Sequence, residues 1–357
     1  MKNPSRPNNQ PVNVGVVGAT GVVGETFLQI LEQRGFPVGN LRLYASKNSE
    51  GQTRKLNGRS FQVETLKPGC FEGLDLVFFS SGDDISKEWA PEAVKAGAYA
   101  VDNSAAFRMD DKVHLVVPEV NGDLLATLKS PAIIANPNCS TIQLVVALAP
   151  LQKKYGLKSV RVSSYQSVSG AGREGLEELI DHTKIALEAE EPPASKTFSK
   201  SVAFDSIPQI GSINEDGYSS EEMKIIKETS KIMREPNLPV SAFAVRVPTM
   251  NSHAEAVWVT LERTPRDKSE VEATLASGDG IQLVNNEQKL RAGPSSVPYP
   301  TQVIASGTDP VYVGRVHRDL HDSNTWLMWV VADNLRKGAA LNGCQIAERI
   351  FDITPRA

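Results

Sequence analysis

The amino-acid sequence predicts an α/β protein with two parts: a doubly wound, mostly parallel sheet first, then an α+β region on a mostly antiparallel sheet. Three observations carry that expectation. Short β-rich runs alternate with helical stretches in the first third of the chain, as in parallel sheets covered by helices on both faces. A glycine-punctuated turn joins the first run to the first helix. Beyond residue 160 the apolar runs lengthen and alternate with period two, the pattern of sheets with one solvated face.

The first run, 12–17, ends in Gly18-Ala19-Thr20-Gly21-Val22-Val23-Gly24, and a helix is expected over 25–33. The spacing is G-x-x-G-x-x-G rather than G-x-G-x-x-G. It still puts glycine where backbone must approach a pyrophosphate and where helix must pack on strand, so a Rossmann-like dinucleotide site is favoured over a plain tight turn. The next strand, 41–45, should end beside the adenosine ribose, where NAD enzymes usually place an Asp or Glu. Ser46-Lys47-Asn48-Ser49 stands there instead. Its hydroxyls and cation suit a 2′-phosphate and favour NADP; the alternative is a solvated polar loop. Further strands are expected over 74–79, 98–102, 114–118 and 132–135, with a helix over 85–96. A small-residue strand end, Ser80-Ser81-Gly82, would let a cofactor lie close to backbone.

In the second region, a strand over 160–166 precedes the glycine loop Ser169-Gly170-Ala171-Gly172. Helices are expected over 141–151, 174–189 and 221–233, an irregular stretch over 191–209, and strands over 240–247 and 254–263. A final amphipathic helix, 336–351, places Leu341, Cys344, Ile346, Ala347 and Ile350 roughly on one face and should return to the first domain. The expected division is 1–138 plus 332–357 against 139–331.

Composition narrows the function classes. A chain of 357 residues can build two cores, and 38 basic against 42 acidic side chains leave no nucleic-acid footprint. Cys70, Cys139 and Cys344 form neither a disulfide framework nor a zinc pattern, so no metal is expected and a reducing compartment is implied. Residues 1–11 are polar, without a signal-peptide pattern, and are expected to fray. No run approaches the roughly 18 apolar residues of a membrane span. A cytoplasmic protein is expected, with no membrane partner.

Cys139, in Asn138-Cys139-Ser140-Thr141, sits where an apolar run gives way to a helix. Unpaired N–H groups and the helix dipole there favour a thiolate, although a buried structural cysteine is the alternative. A cysteine nucleophile needs a proton carrier and groups that hold its substrate. His253 lies in the segment between two long strands that begins at Arg246, so loop geometry could aim both side chains inward. His114, in an apolar run, reads as a core residue, and His317 and His321 as solvated ones. Arg246 ends an apolar strand, where a guanidinium needs an anion: a substrate carboxylate, or a structural salt bridge. Glu221 and Lys224 share a helix face and could pair with each other or meet a zwitterionic ligand. Arg108 follows a strand end on the ligand-binding side of a doubly wound sheet, suited to phosphate or simply exposed.

Together, the glycine loop 18–24, Asn103-Ser104-Ala105-Ala106-Phe107-Arg108, Pro137-Asn138-Cys139-Ser140-Thr141, Tyr165-Gln166 with Val168-Ser169-Gly170-Ala171-Gly172, Glu221-Glu222-Met223-Lys224, Arg246-Val247-Pro248 with His253, and Leu335-Arg336-Lys337-Gly338-Ala339-Ala340-Leu341-Asn342 resemble aspartate-semialdehyde dehydrogenase. The likeness runs in order over nearly the whole chain and is closer to the bacterial and plant branch. It implies that Cys139 is the nucleophile, His253 the general acid/base, and Gln166 the residue that positions the substrate or thioester. It further implies that Arg246 and Glu221 bind the substrate's α-carboxylate and α-ammonium, and that Arg108, Asn138 and Lys224 bind phosphate. Gly18, Thr20, Gly21, Val22, Val23, Ser46, Ser49, Gly170 and Asn342 would contact NADP. Relatives often carry an arginine where Asn48 stands, so this chain departs from the family in its adenosine loop.

The implied reaction is reductive dephosphorylation of L-4-aspartyl phosphate to L-aspartate 4-semialdehyde through a thioacyl cysteine, in the biosynthesis of lysine, threonine, methionine and isoleucine. The implied partners are a small-molecule substrate, inorganic phosphate and a second copy in a homodimer, whose second domain is catalytic and dimerising. The nearest rival is N-acetylglutamyl-phosphate reductase, whose substrate lacks the ammonium Glu221 would meet. Glyceraldehyde-3-phosphate dehydrogenase would call for NAD. A noncatalytic NADP-binding sensor is the rival from another class, disfavoured while Cys139, Gln166, Arg246 and His253 are all present.

Overall fold

The computed structural model describes residues 10–293 and 295–356, in two compact units: 1–138 with 339–357, and 139–338. Most of the N-terminal stretch expected to fray lies outside the described residues.

In the first unit, β1 (Val12–Val17) lies between β2 (Val38–Tyr44) and β5 (Leu76–Phe79). The hairpin of β3 (Thr53–Leu56) and β4 (Arg59–Glu64) adds to β2 on one side; β6 (Tyr99–Asp102), β8 (Ile133–Ala135) and β7 (His114–Leu115) follow β5 on the other. Every pairing except β3 with β4 is parallel, as the alternation of elements required. The hairpin was not foreseen, because Lys55, Arg59 and Gln62 leave its runs too polar for a strand signal. β7 is only two residues long, since Pro118, which lacks an amide hydrogen, starts a short helix.

Helix α1 (Val22–Gln33) begins three residues earlier than its apolar pattern suggested, and α2 (Asp83–Lys95) follows β5. The ring of Phe27 on α1 stacks on Phe78 of β5 with centroids 4.0 Å apart. The last helix, Leu341–Phe351, contributes Leu341, Cys344, Ile346 and Ala347 to the same core. A bidentate pair from Arg34 to Glu348 (2.6 and 2.8 Å) ties it to the end of α1. The expected single helix over 336–351 is in fact a π turn, Arg336–Ala340, followed by the α-helix.

The second unit opens with α4 (Cys139–Tyr155), α3 being the short Pro118–Asn121 turn of the first unit. Its six-stranded sheet runs β10 (Val240–Arg246), β9 (Leu157–Gln166), β11 (His253–Leu261), β16 (Thr325–Ala332), β15 (Val311–Arg318), β12 (Ile281–Val284). The three central pairings are antiparallel and the two edge pairings parallel, so the sheet is mixed with an antiparallel majority. A two-stranded ribbon, β13 (Leu290–Ala292) and β14 (Ser295–Val297), stands apart. Helices α5 (Gly172–Leu187), α6 (Ser220–Met233), α7 (Lys268–Ala276) and the single turn α8 (Gln302–Ala305) complete the unit.

Strand alternation sets the faces of this sheet. Val257, Val259, Met328 and Val330 are buried, while Ala256, Trp258, Leu327 and Trp329 line an open apolar groove with Tyr299 and Pro300. No helix among the described residues is long and apolar enough to cross a membrane, and none of their His, Cys, Asp and Glu groups could hold a metal.

Candidate active site

Strand register builds the centre of the second unit. Gln166, the last residue of β9, pairs with Arg246 at the end of β10 on one side and with His253 at the start of β11 on the other. Residues opposite each other on adjacent strands point to the same face. Three chemically active side chains separated by up to 87 positions are therefore brought into one row. His253 belongs to the strand rather than to the loop expected for it, because β11 begins one residue earlier than its apolar run.

Helix α6 brings the fourth member. Its start is fixed by a capping box, in which the Glu222 amide donates to Ser219 Oγ (3.2 Å) and the Ser219 amide to Glu222 Oε2 (2.6 Å). The other oxygen of Glu222 accepts the Ala244 amide of β10 at 2.9 Å, which anchors the helix to the sheet. Glu221, one residue earlier, is thereby held buried, accepting from Gln166 Nε2 (3.3 Å) and Lys224 Nζ (3.2 Å). The two therefore do pair, half inside the protein: Glu221 is buried and Lys224 is half-buried.

Arg246 is buried, stacks over Phe198, and donates to the Ser167 carbonyl at 2.6 Å. Burial pulls its pKa down, whereas Glu221 and Cys139, near enough to act on its charge, hold it up. Cys139 is the first residue of α4 and partly exposed; Gly338 lies against it, since a Cβ there would stand 2.9 Å from that of Cys139. Gly170 lies against the row itself: a Cβ would come within 3.1 Å of Arg246 and 3.4 Å of His253 Nε2.

His253 has no exposed surface, and its Nδ1 accepts the Ser167 amide at 3.1 Å. Burial, then the Arg246 charge, push its pKa down to about 3 against smaller upward pulls from Glu221 and the Ser252 backbone. Ser167, Ser169, Asn251 and Asn334 form a polar network around it that the sequence did not disclose. Of these only Ser169 belongs to the motif that follows Gln166; Ser167 is its unmatched position. Of the other histidines, His114 is half-buried rather than in the core, His317 and His321 are exposed, and His182, unremarked in the sequence, bonds Ser201.

The first unit has its own polar cluster. Asp102, buried at the end of β6, accepts from Ser86 and Ser104 hydroxyls at 2.7 Å each; burial pushes its carboxyl up despite these bonds. The loop it anchors carries Arg108, buried rather than exposed, which donates to the carbonyls of Asn136 and Asn103 at 2.9 Å. Asn342 donates to the Val116 carbonyl and to Asn136 Oδ1, and Asn138 is also buried. Arg108 and Asn342, expected at phosphate and at NADP, thus also brace their own unit.

At the other turn, Gly18 adopts φ +83°, and the N-cap of α1 is Gly21, without a side-chain cap. No side chain caps the first amides of α1, the arrangement of helix starts that bind anions. A Cβ on Gly24 would lie 2.3 Å from the Gly18 carbonyl oxygen, so only glycine lets helix and turn close together. Thr20 Oγ1 reaches Ser49 Oγ at 3.3 Å, placing the 46–49 loop beside the turn; Val22 and Val23 form the first turn of α1 and Ser46 is exposed. This cradle fits a dinucleotide pyrophosphate.

A nucleotide-type unit joined to one that carries a cysteine, a histidine and a buried acid–arginine pair defines an oxidoreductase of the semialdehyde dehydrogenase class. Residues 13–128 match the model of the semialdehyde dehydrogenase NAD binding domain, and 148–337 that of the semialdehyde dehydrogenase dimerisation domain. The chain is 46% identical to aspartate-semialdehyde dehydrogenase of Aquifex aeolicus over 94% of its own length and 96% of that protein's, and 44% identical to that of Bacillus subtilis over 95% and 97%. The crystal structure of aspartate semialdehyde dehydrogenase II from Vibrio cholerae, complexed with ASA, superposes with a TM-score of 0.90 at 43% identity, covering 96% of this chain and 99% of that one. The chain belongs to the aspartate-semialdehyde dehydrogenase family, and it is an enzyme that uses a pyridine nucleotide.

Proposed function

We propose that the chain is NADP-dependent and reduces L-4-aspartyl phosphate to L-aspartate 4-semialdehyde, releasing phosphate, in the biosynthesis of lysine, threonine, methionine and isoleucine. The observation that carries this reading is the row of Gln166, Arg246 and His253 with Glu221 bonded to Gln166. A buried carboxylate beside a buried guanidinium matches the α-ammonium and α-carboxylate of an unmodified amino acid. An N-acylated substrate would leave Glu221 without a cation from the ligand.

In the forward direction the Cys139 thiolate attacks the acyl carbon. The C–S bond forms, the acyl–oxygen bond breaks, and phosphate leaves with the electron pair and takes up a proton from water. Arg108, Asn138 and Lys224 are assigned to the phosphate, and Gln166 to the thioester. Bound NADPH, the reduced cofactor, would supply the hydride that lowers the thioester to the aldehyde level. Gly18, Thr20, Gly21, Val22, Val23, Ser46, Ser49, Gly170 and Asn342 would hold it, with the hydroxyls and Lys47 of the adenosine loop favouring a 2′-phosphate. The C–S bond of the Cys139 thiohemiacetal then breaks, sulfur recovers the pair, and the carbonyl re-forms. His253, as the acid/base group, acts on the oxygen of that intermediate.

A homodimer is proposed as the working form, supported by the dimerisation-domain match and by the apolar groove of Trp258, Leu327 and Trp329. The deciding assay is phosphate-dependent NADP reduction with L-aspartate 4-semialdehyde, run beside N-acetylglutamate 5-semialdehyde and with NAD substituted. Activity on the acetylated aldehyde alone would overturn the reading.

A further inference from the structure

A backbone amide can only donate. Because the Ser167 N–H points at His253 Nδ1, 3.1 Å away, that nitrogen must present its lone pair, and a neutral imidazole so arranged carries its hydrogen on Nε2. Ser167 Oγ, also 3.1 Å from Nδ1, has two other neighbours, Ser169 Oγ (3.0 Å) and Asn334 Oδ1 (3.3 Å). No carboxylate is bonded to Nδ1 among the described residues, unlike in triads where an acid stabilises the imidazolium. Nε2, fully buried and without a hydrogen-bond partner among the described residues, faces Gly170.

We propose that Ser167 is a positioning residue whose amide locks His253 as the Nε2–H tautomer, so that His253 works by donating a hydrogen bond to the thioester and thiohemiacetal oxygen rather than by shuttling a proton. This rests on the reading of His253 as the group that acts on that oxygen, and replaces proton transfer there with hydrogen-bond donation. Releasing the Nε2 proton would leave an imidazolate, since Nδ1 holds none. Adding one at Nδ1 would set two N–H donors against each other in a buried site. A fixed, neutral N–H aimed at a developing oxyanion avoids both costs and needs no reorganisation.

The test is NMR of the full-length enzyme labelled with ¹⁵N-histidine, with His253 assigned by its absence in His253→Gln. The expected result is a protonated Nε2 and a bare Nδ1 throughout the neutral range; a hydrogen on Nδ1 overturns the proposal. Kinetics give the second arm. Ser167 has φ −66°, proline's own angle, so Ser167→Pro removes the amide hydrogen that Ser167→Ala keeps. Ser167→Ala should stay within about fivefold of wild type in kcat, and folded Ser167→Pro should fall at least about tenfold below it with KM little changed. Equal kcat in the two folded variants overturns the proposal, and if Ser167→Pro fails to fold the NMR result decides. His253→Gln should cost about a hundredfold. Wild-type rates there would sink the reading of His253 and this proposal together, whereas the expected loss with the wrong tautomer sinks the proposal alone.

Discussion

The two units prepare for ligands in opposite ways. In the first, the cofactor turn offers backbone: Gly18 at positive φ, an uncapped α1, and Gly24 pressed on the Gly18 carbonyl. In the second, the offering is side chains, buried and already bonded to one another, from Ser164 through Gln166 and Glu221 to Lys224, and from Ser167 to His253 and Arg246. Capping separates the two helices that serve these sites, for α6 has a full capping box whereas α1 has no side-chain cap. A backbone site tolerates almost any side chain outside its glycines. A side-chain site depends on every member, because each removal leaves another buried polar group without its partner.

The largest break in that contrast should come from Cys139→Ala. Turnover is expected to fall by about four or more powers of ten, as loss of a nucleophile does. Nucleotide affinity, read by fluorescence titration, should be unchanged if the first unit's backbone carries it. Loss of both in a folded protein would assign the cysteine to structure or cofactor binding.

Next in size is Glu221→Gln, which keeps the shape and removes the charge. KM for L-aspartate 4-semialdehyde is expected to rise by about tenfold or more, since a charge-assisted hydrogen bond to the ammonium is lost. An unchanged KM would mean that Glu221 serves only Gln166 and Lys224.

A paired test sharpens the backbone side. At Gly24 a Cβ would overlap the Gly18 carbonyl, so Gly24→Ala should destabilise by about 1–3 kcal/mol in urea unfolding. At Gly21 the nearest atom to a Cβ is that same oxygen at 3.4 Å and φ is −79°, so Gly21→Ala should fold with wild-type stability and weaken nucleotide binding. Equal effects on stability would show that the turn does not separate packing from ligand approach.

The same divide explains how much could be read in advance. The Gly18–Gly24 turn was legible because sterics demand glycine there and little else meets the need; the parallel sheet followed from alternation. Cys139, Arg246 and His253 stood out by their places in the chain, and motif resemblance added Gln166, but the row of Gln166, Arg246 and His253 depends on the register of β9, β10 and β11, which no local signal fixes. Ser167 was passed over for a related reason. What it offers His253 is an amide that every non-proline residue has, so the sequence could not mark it. Arg108 was legible as a polar residue after a strand end and Asn342 through its motif, while their bonds to carbonyls far along the chain were not.

The smallest expected effect concerns Glu255, two residues along β11 from His253 and wholly buried, its carboxylate oxygens without a hydrogen-bond partner among the described residues and Gln143 near enough only to favour its charge weakly. Burial pushes its carboxyl well above the usual 4.5, the weaker pull from Gln143 notwithstanding. Above pH 4.5 the unfolded chain releases this proton while the folded chain keeps it, so Glu255 subtracts stability progressively as pH rises from there toward its folded value. His253 acts with the opposite slope. Its pKa is pushed from 6.5 down to about 3, so between those values the unfolded chain binds the extra proton, and stability rises with pH until 6.5. Glu255→Gln removes only the first term. Its thermal midpoint relative to wild type should therefore climb by on the order of a few degrees from pH 4.5 to neutrality, whatever the offset at acid pH. A flat difference would mean that Glu255 ionises within the fold, in which case the buried side of β11 holds a second anion close to His253 and its neutral state could no longer be ascribed to burial and Arg246.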